Sequence, residues 1–473
     1  MNVDDIRRAY LQFMLERGHV RIRPASLVPD DTTTLFTSSG MQSLLSFLLG
    51  RPHPDGTRLT DVQPCLRAQD IDDVGDNRHT TFFEMLGNWS LGAYFKEQQI
   101  RQFFNFLTDI IGLDPARLYV TCFQGDKEQG IARDDEAASI WQKVFEEAGV
   151  EARIAVIGSQ QDGDRRGILP GERIFFYDAD QNWWSRGGSL PGTPSGDPCG
   201  PDSEVFFDFG PQHHDGRFGL AHPASDGGRF LEIGNQVFMQ YRREADGSFV
   251  PLERRDVDFG AGLERIAAAV RDDPDIYRID VLAPLIRTVE AIASTSYDSD
   301  PTTMRIIVDH VRGAVFLAAD GVVPSNKQQG YVMRRLLRRA IAAARRLDVT
   351  DHFFSRLTDE VIRNYADTYP QLAARRESIT HLLDMEEKAF RHTLDSGYRE
   401  LQRHTGTTLS GQDIFHLSDT FGFPRDVTLE EARRLGSAID AEWDSDFANA
   451  LEAQRRQSRQ HSPLGAGSTP DTK

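Results

Sequence analysis

Apolar and polar positions repeat with two different periods along this chain, and the change of period divides it. Residues 3–17 place Ile6, Tyr10, Phe13 and Met14 on one stripe, with Gly18 as a stop, and the spacing predicts an amphipathic helix. Leu118–Phe123 and the stretches 205–209 and 230–241 carry the pattern of buried strands. Residues 80–95 mix aromatics with Gly87 and Gly92, whereas 159–171 and 210–228 are polar, Gly-rich and expected as loops or insertions. From about residue 271 glycine thins out and helical periodicity takes over, through 311–319, 330–347 and 377–401. The break falls in Asp/Pro/Ser-rich text (RDDPDIYRID, STSYDSDPTT). This gives an α/β domain over 1–270, a helical domain over 271–456 and a polar tail over 457–473, ending SPLGAGSTPDTK, that is expected to be disordered. No internal repeat is visible.

Bulk properties narrow the class. A chain of 473 residues with 39% hydrophobic content has room for two or three domains and a sizeable core. No run approaches the ~18–20 apolar residues that span a bilayer, and MNVDDIRRAY has neither a signal-peptide core nor transit-peptide character. Cys65, Cys122 and Cys199 are scattered, which points to a reducing, cytoplasmic setting and away from structural zinc. The net charge of −18 disfavours nucleic acid unless a local basic patch exists.

The chemistry lies in two distant segments. The first reads Cys65-Leu66-Arg67-Ala68 and, after an acidic loop (69–77), Arg78-His79-Thr80-Thr81-Phe82-Phe83-Glu84-Met85-Leu86-Gly87-Asn88. The second, about 190 residues after Arg67, reads Val257-Asp258-Phe259-Gly260-Ala261-Gly262-Leu263-Glu264-Arg265-Ile266. There is no GxGxxG, no GK[ST] and no alternating strand–helix text around the glycines, so neither a Rossmann fold nor a P-loop fits. In this order the two segments resemble motifs 2 and 3 of class II aminoacyl-tRNA synthetases, in the form of the alanyl-specific family. The resemblance implies an antiparallel class II sheet flanked by helices, followed by an all-helical tRNA-recognition domain. It implies ATP-dependent activation of L-alanine and transfer to tRNA(Ala).

Residue roles follow from the resemblance. Arg67 would neutralise the two anions that meet when a carboxylate attacks the α-phosphate. Arg78 or His79 would meet the γ-phosphate, Phe82 or Phe83 would stack on adenine with the other in the core, and Arg265 would reach the nucleotide. Mg²⁺ would sit on phosphate oxygens and few carboxylates; Glu232 is either its ligand or a partner within the sheet. For alanine, Asp258 would take the ammonium, Asn235 would add a polar contact, Trp184 would close the carboxylate side, and Met85, Val237 and Gly260 would wall a space about one methyl wide. The chain departs from the family at Gly234 (usually Trp), Phe259 (usually Thr) and Asp197-Pro198-Cys199-Gly200-Pro201-Asp202-Ser203-Glu204 (usually GPCGPCTE).

The second half supplies the basic patch. Arg334, Arg335, Arg338, Arg339, Arg345 and Arg346 fall in 13 residues, at spacings of 4 and 7 that share helix faces. They form either a solvated face or phosphate contacts, and the acidity of the rest favours RNA. By the resemblance, Asn326 and Asp419 would read a G·U pair from the shallow minor groove of the acceptor stem; a helix or turn cap is the other reading of Asp419. The resemblance covers 1–456 and stops where alanyl enzymes continue into an editing domain and a C-terminal module, so a monomer is expected. A small apolar pocket rejects an added hydroxyl by only ~10²-fold, so serine is expected to leak through unless a separate trans-editing protein acts. Two rivals remain: a paralogue that activates another small amino acid or uses a non-tRNA acceptor, and a non-catalytic tRNA-binding regulator.

Overall fold

A computed structural model describes residues 1–29 and 34–460, without the side chains of 426 and 454–460. Ten strands build one sheet: β1 (Val20–Arg21), β2 (Arg58–Leu66), β3 (Phe82–Leu91), β4 (Leu118–Phe123), β5 (Arg153–Gly158), β6 (Glu172–Tyr177), β7 (Trp183–Trp184), β8 (Pro198–Asp208), β9 (Phe230–Arg243) and β10 (Phe249–Gly262). Their order is β1-β2-β3-β10-β9-β8-β4-β6-β5, with β7 paired to β8 off this path. The centre, β2-β3-β10-β9-β8, is antiparallel, as expected. The edges are not. β4, β6 and β5 pair in parallel, because the helices Asp135–Glu147 and Gln160–Arg166 carry the chain across between them. The sheet is therefore mixed.

Two further expectations change. The stretch 159–171 is not all loop: Ser159 accepts from the Asp162 amide while Asp162 reaches back, a capping box that starts the helix Gln160–Arg166. The region after 271 is not purely helical among the described residues, since Thr408–Leu409 and Ala438–Ile439 pair in parallel. Residues 457–460 of the expected tail continue the helix Trp443–Gln460, and 461–473 lie outside the described residues.

The helix Pro301–Ala319 is apolar on nearly every side and is buried along almost its whole length. It wedges between the sheet and the following helices and contributes to one continuous core that runs from Val3 to Ala432. Two of its polar side chains grip the sheet side. Asp309 accepts from the Thr81 amide at 2.9 Å and its hydroxyl at 2.6 Å. Arg312, wholly buried, donates to Phe82 O, to Glu264 Oε1 at 3.1 Å and to the Tyr365 hydroxyl at 3.0 Å. On the opposite face of the sheet Met41, Leu59, Trp89, Val237 and Met239 form a small separate core, with Trp184 packed against it. Among the described residues no helix is long and apolar enough to cross a membrane.

Candidate active site

The antiparallel strands β2, β3, β10, β9 and β8 carry a cavity of about 320 Å³ on one face. Side chains that alternate along the strands point into it: Phe83 and Met85 from β3, Asp258 and Gly260 from β10, Asn235 and Val237 from β9, Glu204 from β8. Arg67, just past the end of β2, and Arg78 and His79, just before β3, join from one side; Arg265, in the first turn of the helix Leu263–Arg271, joins from the other. Trp184 closes the end nearest the small core. Arg67, Arg78, His79, Phe83, Met85, Trp184, Glu232, Asn235, Val237, Asp258, Gly260 and Arg265 thus share a single cavity.

Phe82 does not reach the cavity. It is fully buried on the other face and stacks on Phe316 of the Pro301–Ala319 helix, ring centres 4.1 Å apart. Period-two alternation requires that only one of two adjacent aromatics face a ligand, and it is Phe83, whose ring lies 4.9 Å under the Arg67 guanidinium. Arg67 is fixed further by its Nε donating to Ser38 O at 3.2 Å. The acidic loop folds back on itself: Asp76 accepts from the amides of Arg78 and His79 at 3.0 and 2.8 Å, and pairs with His79 Nδ1 at 2.7 Å.

Glu232 reaches the cavity through an irregularity. Gly234 pairs with Val205 but Glu232 pairs with Phe206, so β9 carries one extra residue there. Three positions apart, Glu232 and Asn235 would otherwise face opposite sides; the bulge puts them on one. Arg265 Nη1 then holds Glu232 through its backbone carbonyl at 3.1 Å and Oε2 at 2.8 Å.

Three acids in or beside this site are out of their ordinary range. Burial lifts the Asp258 carboxyl to about 7, partly opposed by the Trp89 indole, which donates to Oδ1 at 2.7 Å. Burial also lifts Asp202 to about 7, against bonds from Asn182 at 3.1 Å and Asn235 at 3.2 Å. Glu204 is raised well above its usual value by burial and then by the charges of Glu232 and Asp202. Asn235 spends its amino group on Asp202 and leaves Oδ1 buried without a partner. Carboxylates at such cost belong where a cation arrives. Glu204 and Trp89 carried no assigned role in the sequence; an acid inside the apolar string Ser203-Glu204-Val205-Phe206-Phe207 was the available signal for the first.

Two of the three family departures, Gly234 and Phe259, do not touch the cavity, whereas Asp202 of the third holds the lining residue Asn235. A β-carbon at Gly234 would lie 2.6 Å from the Phe103 ring, and Phe259 packs on Phe103 at 4.5 Å, on the helix-covered face. Two phenylalanines fill that layer, which leaves no space for a larger residue at 234. At Gly260 the reverse holds: an added β-carbon would meet Met85 Sδ at 2.7 Å, so glycine lets the cavity keep its shape.

The arginine row on the helix Gln328–Arg346 is engaged within the protein. Arg339 is buried and donates to Asp72 at 2.9 Å and His310 at 3.2 Å. Arg335 binds Asp72 at 2.7 Å, and Arg334 and Arg338 share Glu386 at 3.3 and 3.0 Å. Arg346 pairs with Glu430 and Glu431, and Arg345 with Asp395. In this structure the row is thus engaged with acids of the same chain. Helical spacing shows which side chains share a face, but not that acids from distant segments cover it. Asn326 is exposed and accepts from Arg334; Asp419 is exposed on the last turn of the helix Gly411–Phe421.

Residues 5–470 match the family described as tRNA synthetases class II (A). The protein named alanine--tRNA ligase from Treponema pallidum is 40% identical over 97% of this chain and 72% of its own. Its counterpart from Borrelia hermsii is 38% identical over 96% and 73%, and that from Idiomarina loihiensis is 39% identical over 98% and 50%.

Proposed function

The chain belongs to the class II (A) tRNA synthetases, and from that premise we propose that it activates L-alanine with ATP and transfers it to tRNA(Ala). The observation that carries the reading is the meeting of Arg67, Arg265 and Asp258 in one cavity, walled in part by Met85, Val237 and Gly260. An alanine carboxylate oxygen attacks the α-phosphorus, the bond to pyrophosphate breaks, and the mixed anhydride forms. In this reading Arg67 holds both anions, and a preorganised cation needs no reorganisation as the charge develops. Phe83 offers the adenine platform, Arg78 and His79 lie on the polyphosphate side, and Asp258 with Asn235 takes the ammonium. The tRNA terminal hydroxyl then attacks the carbonyl carbon and AMP leaves.

The family uses ATP with a divalent metal. Glu232 Oε1 takes no hydrogen bond among the described residues while Oε2 is held by Arg265. One free carboxylate oxygen at the edge of a phosphate site suits Mg²⁺, which binds through few protein ligands plus phosphates. When bound, the metal would neutralise the polyphosphate. The proposal assigns 1–270 to catalysis and 271–456 to the acceptor stem, with Asn326 and Asp419 as readers. Free, buried cysteines support a reducing, cytoplasmic setting.

Pyrophosphate exchange over a panel of amino acids tests this. Alanine should support exchange, serine should follow about 10²-fold less efficiently, and tRNA(Ala) should be charged. Exchange with another amino acid but none with alanine would refute the assignment.

A further inference from the structure

We propose that Trp89 is a positioning residue for ammonium recognition, its indole N–H locking one oxygen of Asp258 so that the other faces the substrate. The inference rests on the reading of the cavity as an alanine-activating site. Trp89 and Asp258 are directly opposed across the β3–β10 ladder. Nε1 donates to Asp258 Oδ1 at 2.7 Å, and among the described residues no other group bonds that carboxyl. Trp89 itself is fully buried and lies outside the cavity, so it acts through Asp258 and not on the substrate.

The ring has little freedom to do anything else. It belongs to the small core with Met41, Leu44, Leu59 and Val237. Its far edge lies against Gly40, where a β-carbon would come within 2.7 Å of Cζ2. A buried carboxylate with one rigid donor has one oxygen committed and one left. Asn235 is held in a similar way: Asp202 takes its amino group at 3.2 Å and leaves the buried Oδ1 without a partner. An ammonium brings three donors. The site thus offers two oxygens whose directions are set in advance by buried neighbours, which reduces the ordering cost at binding.

The test compares two stable adenylate analogues, alanyl-sulfamoyl adenosine and propionyl-sulfamoyl adenosine, which differ only in the ammonium. Calorimetry gives their affinity ratio in the full chain. Trp89→Phe keeps an aromatic ring and drops the donor. A second variant, with 3-benzothienylalanine at position 89, keeps the indole outline and replaces N–H by sulfur. In both, the preference for the alanyl analogue should fall roughly tenfold or more, the loss expected for a hydrogen bond to a charged group, while the propionyl analogue binds as before. An unchanged ratio in the folded benzothienyl variant overturns the proposal. A wild-type protein that shows no preference for the alanyl analogue would instead defeat the alanine reading itself, and this inference with it.

Discussion

Lowering the pH from 8 to 6 should weaken alanine binding about tenfold and leave ATP binding nearly unchanged. Burial raises the Asp258 carboxyl from its ordinary 3.8 to about 7. At about 1.4 kcal/mol per tenfold, holding it ionised costs roughly 4 kcal/mol in the empty site. The sign follows from linkage. The unfolded chain ionises near 4 and the folded one near 7, so the empty protein loses stability as pH rises across that window and recovers none above it. Alanine's ammonium restores the balance, and binding therefore needs the ionised form. At pH 6 only about a tenth of the empty site carries the charge, so KM for alanine should rise about tenfold while kcat at saturation stays level. Pyrophosphate exchange at saturating ATP, from pH 5.5 to 8.5, measures this. Asp202 titrates in the same range, and Glu204, Glu232 and Arg265 also face the cavity. The profile is therefore repeated with Asp202→Asn, where the acid limb should persist. An alanine KM that stays flat between pH 6 and 8 would refute the argument.

Three other outcomes are expected. Asp202→Ala frees the Asn235 amide to turn its amino group toward the ammonium, so KM for alanine should rise several-fold in exchange kinetics with KM for ATP constant. Phe83→Ala should raise KM for ATP with little loss of stability, whereas Phe82→Ala should cost about 3–5 kcal/mol in urea unfolding, because it empties a site packed against Phe316. The opposite pairing of effects would show that the two faces have been exchanged. Arg312→Ala removes a buried guanidinium and leaves Glu264 without its counter-charge, with an expected loss of about 3–5 kcal/mol in the same measurement.

How far the sequence reached depends on the distance over which each feature is decided. Strand Leu118–Phe123 was legible to the residue because a short apolar run is a local signal, and all six of its residues are buried. So was the turn from strand into helix at Gly262, set by small residues before an apolar run. Alternation also showed that one of Phe82 and Phe83 must be core. Which one was decided by the Pro301–Ala319 helix, more than 200 residues away, covering that face. The bulge that turns Glu232 toward Asn235 has a local hint in Gly234, but its position and effect are fixed only by the pairing with β8. The partners of the arginine row were hidden for the same reason. Its spacing was read correctly as a helix, but Asp72, Glu386 and Glu430 reach it from elements that periodicity cannot relate to it. The Trp89 bond to Asp258 likewise joins strands whose register is invisible in the chain.

The helix Pro301–Ala319 bears on modularity. Its aspartate and arginine complete the hydrogen bonding of Thr81, Phe82 and Glu264, three residues beside the reaction centre. A shortened chain ending at 270 would expose apolar surface and strand a carboxylate, so it is a poor starting point for a minimal enzyme. A chimera that borrows its helical half from a relative should work only if the donor brings an equivalent Asp–Arg pair in the same register. The compositional seam at 271 is thus a poor place to cut.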